Sequence, residues 1–168
     1  FLACAHASDN KKLAVFHFQN QGLETDAAQS IPENIQGELQ KTSTYEFLDG
    51  QKIETIITEQ KINREDCADT CLIRVGKLAG ADQVLTGTAI LQDGLYTISA
   101  RLLDVETGTT VHEISFDSQD KNELLQFGLY YLAAGLTGKP LPKKNGGTKM
   151  YTATLEAIAI DETDFFRS

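Results

Sequence analysis

Cys67 and Cys71, in the stretch EDCADTC, are the residues whose type and spacing most invite chemistry. Three readings compete: a metal site, a redox centre, or a disulfide closing a small loop. A zinc site needs about four ligands, and the imidazoles of His6, His17 and His112 lie far off with no paired spacing. Thioredoxin-type chemistry reads C-x-x-C at a helix start, whereas this motif is C-x-x-x-C. Asp66 and Asp69 beside the sulfurs would raise a thiol pKa rather than lower it. A Cys67–Cys71 disulfide is therefore expected. Sulfurs four apart on a regular helix are badly aimed for bonding, so Cys67 must sit outside the helix, with Asp69 or Thr70 as its N-cap.

No other set of side chains converges. The loop QNQGLETD after the first apolar run has one glycine and two acids, unlike a phosphate cradle. There is no G-x-S-x-G elbow and no H-E-x-x-H. His17 falls in an expected strand, and His112 in an edge-like strand facing solvent. Asp161, Glu162 and Asp164 offer oxygens to calcium but lack the glycine and distal glutamate of an EF-hand loop. Neither a cofactor nor a metal is expected, and no catalytic residue is assigned.

Compartment bears on the cysteines. The opening FLACAHAS resembles the end of an export signal: Ala5-His6-Ala7 has small-x-small form. Leu2-Ala3-Cys4 approaches the pattern before a lipidated cysteine, with Phe1 in place of the usual leucine, so Cys4 is a candidate lipidation site. Removal or lipidation of Cys4 leaves Cys67 and Cys71 as an even pair in an oxidising compartment. The 168 residues carry a net charge of −9, and hydrophobic residues make up 41%. Such a chain can bury one core, and its acidity disfavours nucleic acid and anionic lipid. No apolar run approaches the roughly eighteen residues of a membrane span.

The elements that must position these residues follow from periodicity. Lys12 to Phe18 reads as a buried central strand. Ala27, Ala28, Ile31, Ile35 and Leu39 mark a helix starting near Ser30, with Pro32 in its first turn. Tyr45 to Leu48 is a short strand, and Asp49 caps a helix with Ile53, Ile56 and Ile57 inward. A third helix, Cys71 to Leu78, buries Leu72, Val75 and Leu78 and ends at Gly80. The period then changes to two. Gln83–Leu91, Leu95–Val105 and Thr109–Phe116 form a three-stranded antiparallel meander, its first turn made by Asp93-Gly94. Tyr96, Ile98, Ala100 and Leu102 share the buried face of the middle strand. A final helix from about Asp120 to Leu136 is apolar on more than one side. Gly138 to Gly147 is linker-like, and Lys149 to Ile160 has strand propensity. The expected organisation is 1–8 as the end of a signal peptide or lipoprotein tether, 9–137 as the domain, and 138–168 as linker and strand-like extension.

Val75-Gly76-Lys77-Leu78, Gly80-Ala81-Asp82, Leu85-Thr86-Gly87, the run Tyr96–Leu103 and the turn Asp104–Gly108 occur in order here. Together with LAVFHFQN and YEFLDGQKIETIITEQ, they resemble a group of exported bacterial proteins. These share the fold of the N-terminal domain of TolB and the periplasmic part of the curli-secretion lipoprotein CsgG. The likeness covers roughly residues 12 to 137. It implies a mixed α/β fold: an initial β-α-β-α-α unit, the meander and a C-terminal helix, in a mixed sheet. It also implies a non-enzymatic envelope protein, periplasmic or outer-membrane-associated, that binds other envelope proteins or itself. Short hairpins leave no strands for a transmembrane barrel, so pore formation is not implied. A small-ligand domain using the crevice after the first strand, lined by Asn20 and Gln21, is the alternative; an accessory domain of a larger envelope enzyme is another.

Overall fold

In a computed structural model, residues 10–41 and 45–143 are described. The expected signal or tether at 1–8, with Cys4, lies outside them, as does the strand-like extension from 148 onward with Asp161, Glu162 and Asp164. The described chain folds as β1 (Lys11–Gln21), α1 (Thr25–Gln40), β2 (Tyr45–Phe47), α2 (Gly50–Glu59), α3 (Asp69–Ala79), β3 (Gln83–Gln92), β4 (Leu95–Asp104) and β5 (Thr110–Ser118). A last helical stretch comprises α4 (Lys121–Glu123), a π turn (Leu124–Gly128) and α5 (Leu129–Leu136).

The five strands form one mixed sheet in the order β2-β1-β3-β4-β5. β1 runs parallel to both β2 and β3, and β3-β4-β5 is the antiparallel meander. β1 therefore sits centrally, which explains why Leu13, Ala14, Phe16 and Phe18 are all buried. Asp93 and Gly94 both take positive φ (52° and 78°), as the tight β3–β4 turn requires.

The two faces of the sheet differ. One carries Leu13, Leu85, Ala89, Ile98, Ala100, Leu102, Ile114 and Phe116 beneath α1, the π turn and α5. The other carries Ala14, Phe16, Val84, Leu103 and Val105 beneath α2 and α3. Alternation along a strand would carry Phe18 to the same face as Phe16. A bulge between Val15 and Phe18 adds one residue to β1 relative to β3 and returns Phe18 to the first core. There the Phe18 ring lies over Gly87, where a Cβ would stand 2.5 Å from Phe18 Cε2 and 2.1 Å from the Ser99 carbonyl oxygen.

Several boundaries correct the sequence reading. α1 begins at Thr25, so Pro32 lies inside it. Burial of Ala27 and Ala28 continues the Ile31–Ile35–Leu39 stripe, which holds the helix together through the proline. α3 begins at Asp69 with Ala68 as an N-cap that makes no side-chain bond, so neither Asp69 nor Thr70 caps it. Its buried stripe is Leu72, Val75, Gly76 and Ala79, whereas Leu78 is 53% exposed. Alanine at 79 and glycine at 76 fill the inward positions because α3 lies close on β3: a Cβ on Gly76 would come 2.5 Å from Val84 Cγ2. Leucine does not fit that spacing.

Candidate functional site

α2 and α3 cover only one end of the second face. Arg64 and Asp66, in the loop between them, lead into Cys67, whose disulfide to Cys71 joins this loop to the first turn of α3 with Cα atoms 5.2 Å apart. Cys67 lies outside the helix and Cys71 inside it, the geometry that a four-residue spacing demands. Cys67 is buried in the second core.

α3 thus starts at a fixed place above the sheet. There Asp69 receives two hydrogen bonds from the Arg101 guanidinium of β4, at 2.7 and 2.9 Å. Both partners are partly exposed, so the pair is worth at most about 1 kcal/mol. Its forked geometry fixes the direction of α3 over β4. Arg64 pairs with Glu54 of α2. His17, at the bulge, donates to the Arg64 carbonyl. Burial and the Arg64 guanidinium together hold its pKa below the ordinary imidazole value.

These groups enclose a small polar cavity of about 40 Å³, lined by His17, Arg64, Asp69, Thr86 and Arg101 among others. That is room for a few water molecules, not for a metabolite. It marks the border of the covered zone.

Beyond this border the second face changes character. Thr88 and Ile90 of β3, Thr97 and Ser99 of β4, and Ser115 and Asp117 of β5 are half-exposed and belong to neither apolar cluster. Ser99 and Ser115 are register partners whose hydroxyls hydrogen-bond at 2.8 Å. The result is a half-exposed surface rich in hydroxyl side chains across three strands, bordered by Arg101 and the start of α3. Short β-branched and hydroxyl side chains keep such a sheet ordered without a helix over it. They offer hydrogen bonds, but among the described residues no paired acid and base converge on this surface.

At the expected crevice after β1, the Asn20 side chain is engaged locally. Asn20 Oδ1 accepts from the Leu23 amide and its Nδ2 donates to the Leu23 carbonyl, both at 3.0 Å. Its amide is spent on the β1–α1 turn, and Gln21 is exposed. His112 pairs in register with Leu102 and is half-buried rather than fully solvent-facing. Among the described residues no cluster of three or more histidine, cysteine or acidic groups is placed to hold a metal ion. No described helix is long and apolar enough to cross a membrane. The Arg101–Asp69 clamp spans 32 positions, and no local sequence signal announces it.

No protein-family model matches the chain, and no curated protein sequence matches it. Solved structures do share its fold. The LpoB C-terminal domain from Salmonella enterica superposes with a TM-score of 0.56 at 17% identity, over 66% of this chain and 84% of that one. Lipoprotein GNA1162 from Neisseria meningitidis gives 0.55 at 14% identity, over 66% and 81%. The PelC dodecamer from Paraburkholderia phytofirmans gives 0.51 at 13% identity, over 76% and 89%. At these identities the likeness is one of fold: the mixed α/β architecture expected from the sequence motifs is shared with the LpoB C-terminal domain and with lipoprotein GNA1162.

Proposed function

We propose that this chain is a non-enzymatic, exported module of the bacterial cell envelope. It docks another envelope protein through the half of its sheet that no described helix covers, in the periplasm or at the outer membrane, with Cys4 as its lipid anchor. The observation that carries this reading is the hydroxyl-rich, half-exposed surface of β3, β4 and β5. Support comes from the fold shared with LpoB and with lipoprotein GNA1162. The PelC dodecamer supports assembly as a use of this fold. Kinship with the TolB N-terminal domain and with the curli-secretion lipoprotein is the narrower form of the same proposal.

The test is site-specific photo-crosslinking in envelope fractions. A photoreactive residue at Thr88, Ser99 or Ser115 is expected to capture a protein partner. The same residue at the exposed Asn34 of α1 should not capture that partner. Capture from the helix side alone would overturn the assignment of the face. Turnover of a nucleotide, ester or peptide by the purified chain would overturn the non-enzymatic reading.

A further inference from the structure

Among the described residues, nothing accounts for a glycine at position 37. It lies inside α1, where glycine costs about 0.5–1 kcal/mol relative to alanine. Gly50, also without a neighbour, stands at the first position of α2, where its cost is small, whereas three glycines deeper in helical stretches are packed tightly. A Cβ would meet Val84 Cγ2 at 2.5 Å from Gly76, the Phe116 ring at 2.6 Å from Gly128, and Ile114 Cδ1 at 2.0 Å from Gly135. Around Gly37 a Cβ would meet nothing within 4 Å among the described residues. A helix weakened for no contact with them suggests an external one that comes closer than a side chain allows.

The surroundings of Gly37 specify what that contact is. Gly37 lines an open groove whose walls are α1 on one side and Leu125 and Leu129, from the π turn and α5, on the other. Glu33 and Lys41 line the same groove, four residues to either side of Gly37 and so on one stripe of the helix. Their charges are opposite and symmetric about the glycine. A second α1 laid antiparallel across Gly37 would set Glu33 against Lys41 of the other copy, twice. A parallel arrangement would instead oppose like charges. Lys41 already pairs with Glu38 at 2.9 Å, but that exposed i,i+3 contact is worth only a few tenths of a kcal/mol and exchanges readily.

We propose that the α1 groove is a self-association surface, occupied by α1 of a second copy of this chain in an antiparallel, two-fold arrangement centred on Gly37. An isologous contact of this kind closes on itself as a dimer. It lies on the helix-covered side of the sheet, opposite the docking face proposed above, and its test is independent of that reading. Two copies each with a net charge of −9 repel, so the dimer is weak at low ionic strength and strengthens as salt screens the net charge.

Sedimentation velocity of the full chain from micromolar to millimolar concentration tests this. A monomer–dimer equilibrium is expected. Gly37→Leu should weaken it by about tenfold or more, the effect of forcing extra methylenes into a packed contact. Gly37→Ala should move two readouts in opposite directions, raising the melting temperature of the dilute monomer while weakening association. Glu33→Lys should weaken the dimer, and adding Lys41→Glu to it should restore the dimer. A chain that stays monomeric at millimolar concentration refutes the proposal. So does a dimer indifferent to Gly37→Leu, or a double charge reversal no better than the single one.

Discussion

Cutting the Cys67–Cys71 bond measures how far the border of the docking face depends on one covalent link. The bond spans a separation of 4 residues. For so short a loop, the chain-entropy relation with n near 4 gives about 6 cal/mol/K, or about 2 kcal/mol at room temperature. Nothing larger is expected, because Cys67 keeps its place in the second core as a buried thiol. For a chain of this size, about 2 kcal/mol corresponds to a fall of about 4–8 °C in melting temperature. The measurement is calorimetry of the wild type with and without reductant, beside a Cys67→Ser/Cys71→Ser variant. Mass spectrometry without reductant should first show the chain two hydrogens lighter than its dithiol form. Hydrogen exchange should then locate the change: amides from Arg64 to Leu72 lose protection, while those of β3 and β4 keep theirs. Unchanged melting in a sample shown to carry two free thiols would refute the entropic argument. Loss of protection spread over the whole sheet would refute the local one.

Other expectations follow from single positions. Leu72→Ala should cost about 2–5 kcal/mol and Leu78→Ala about half a kcal/mol or less in urea unfolding, because Leu72 is buried and Leu78 exposed on one helix; equal costs would contradict the assigned helix face. Gly87→Ala should cost about 3 kcal/mol or more, since its Cβ would strike the Ser99 carbonyl oxygen and the Phe18 ring together; a folded variant with unchanged urea midpoint would show that β3 and β4 separate freely there. The imidazole of His17 should titrate below 6.5 by NMR. Between that lowered value and the unfolded one the unfolded chain binds more protons, so this stabilisation is present above pH 6.5 and is lost as pH falls toward the folded value. His17→Gln should flatten that part of the stability–pH curve, and an unaltered curve would mean His17 does not shape it.

Much of the fold could be read from local pattern. The meander showed itself through period-two alternation and Asp93-Gly94, and the central strand through the apolar run at Leu13–Phe18. Asp49 does cap α2, accepting from the Gln51 amide, and Gly80 does end α3 with a φ of 83°. The failures share a cause. Leu78 attracted the inward assignment because leucine is more hydrophobic than Ala79, but a helix lying close on a sheet selects for smallness. Pro32 attracted a helix start because its local effect is large, yet burial upstream outweighed it. Asn20 was read as available, when both ends of its amide serve a turn. The last helix contains a π turn at Leu124–Gly128 that its continuous apolar pattern does not reveal. Of the candidate site, the disulfide was visible as spacing. The open sheet face was not, since whether a helix covers a strand depends on elements far away in sequence.

The extra residue in β1 has a consequence for what the strand tolerates. Val15 pairs with Leu85 and Phe18 with Gly87, so β3 spans in two steps what β1 spans in three. Removing His17 would leave Phe16 opposite Thr86 and a regular ladder, with every remaining side chain on its present face. What the longer strand adds is an imidazole at the edge of the polar cavity, touching the loop that carries Arg64. Trimming that single position should therefore spare the architecture and disturb the junction between loop and sheet.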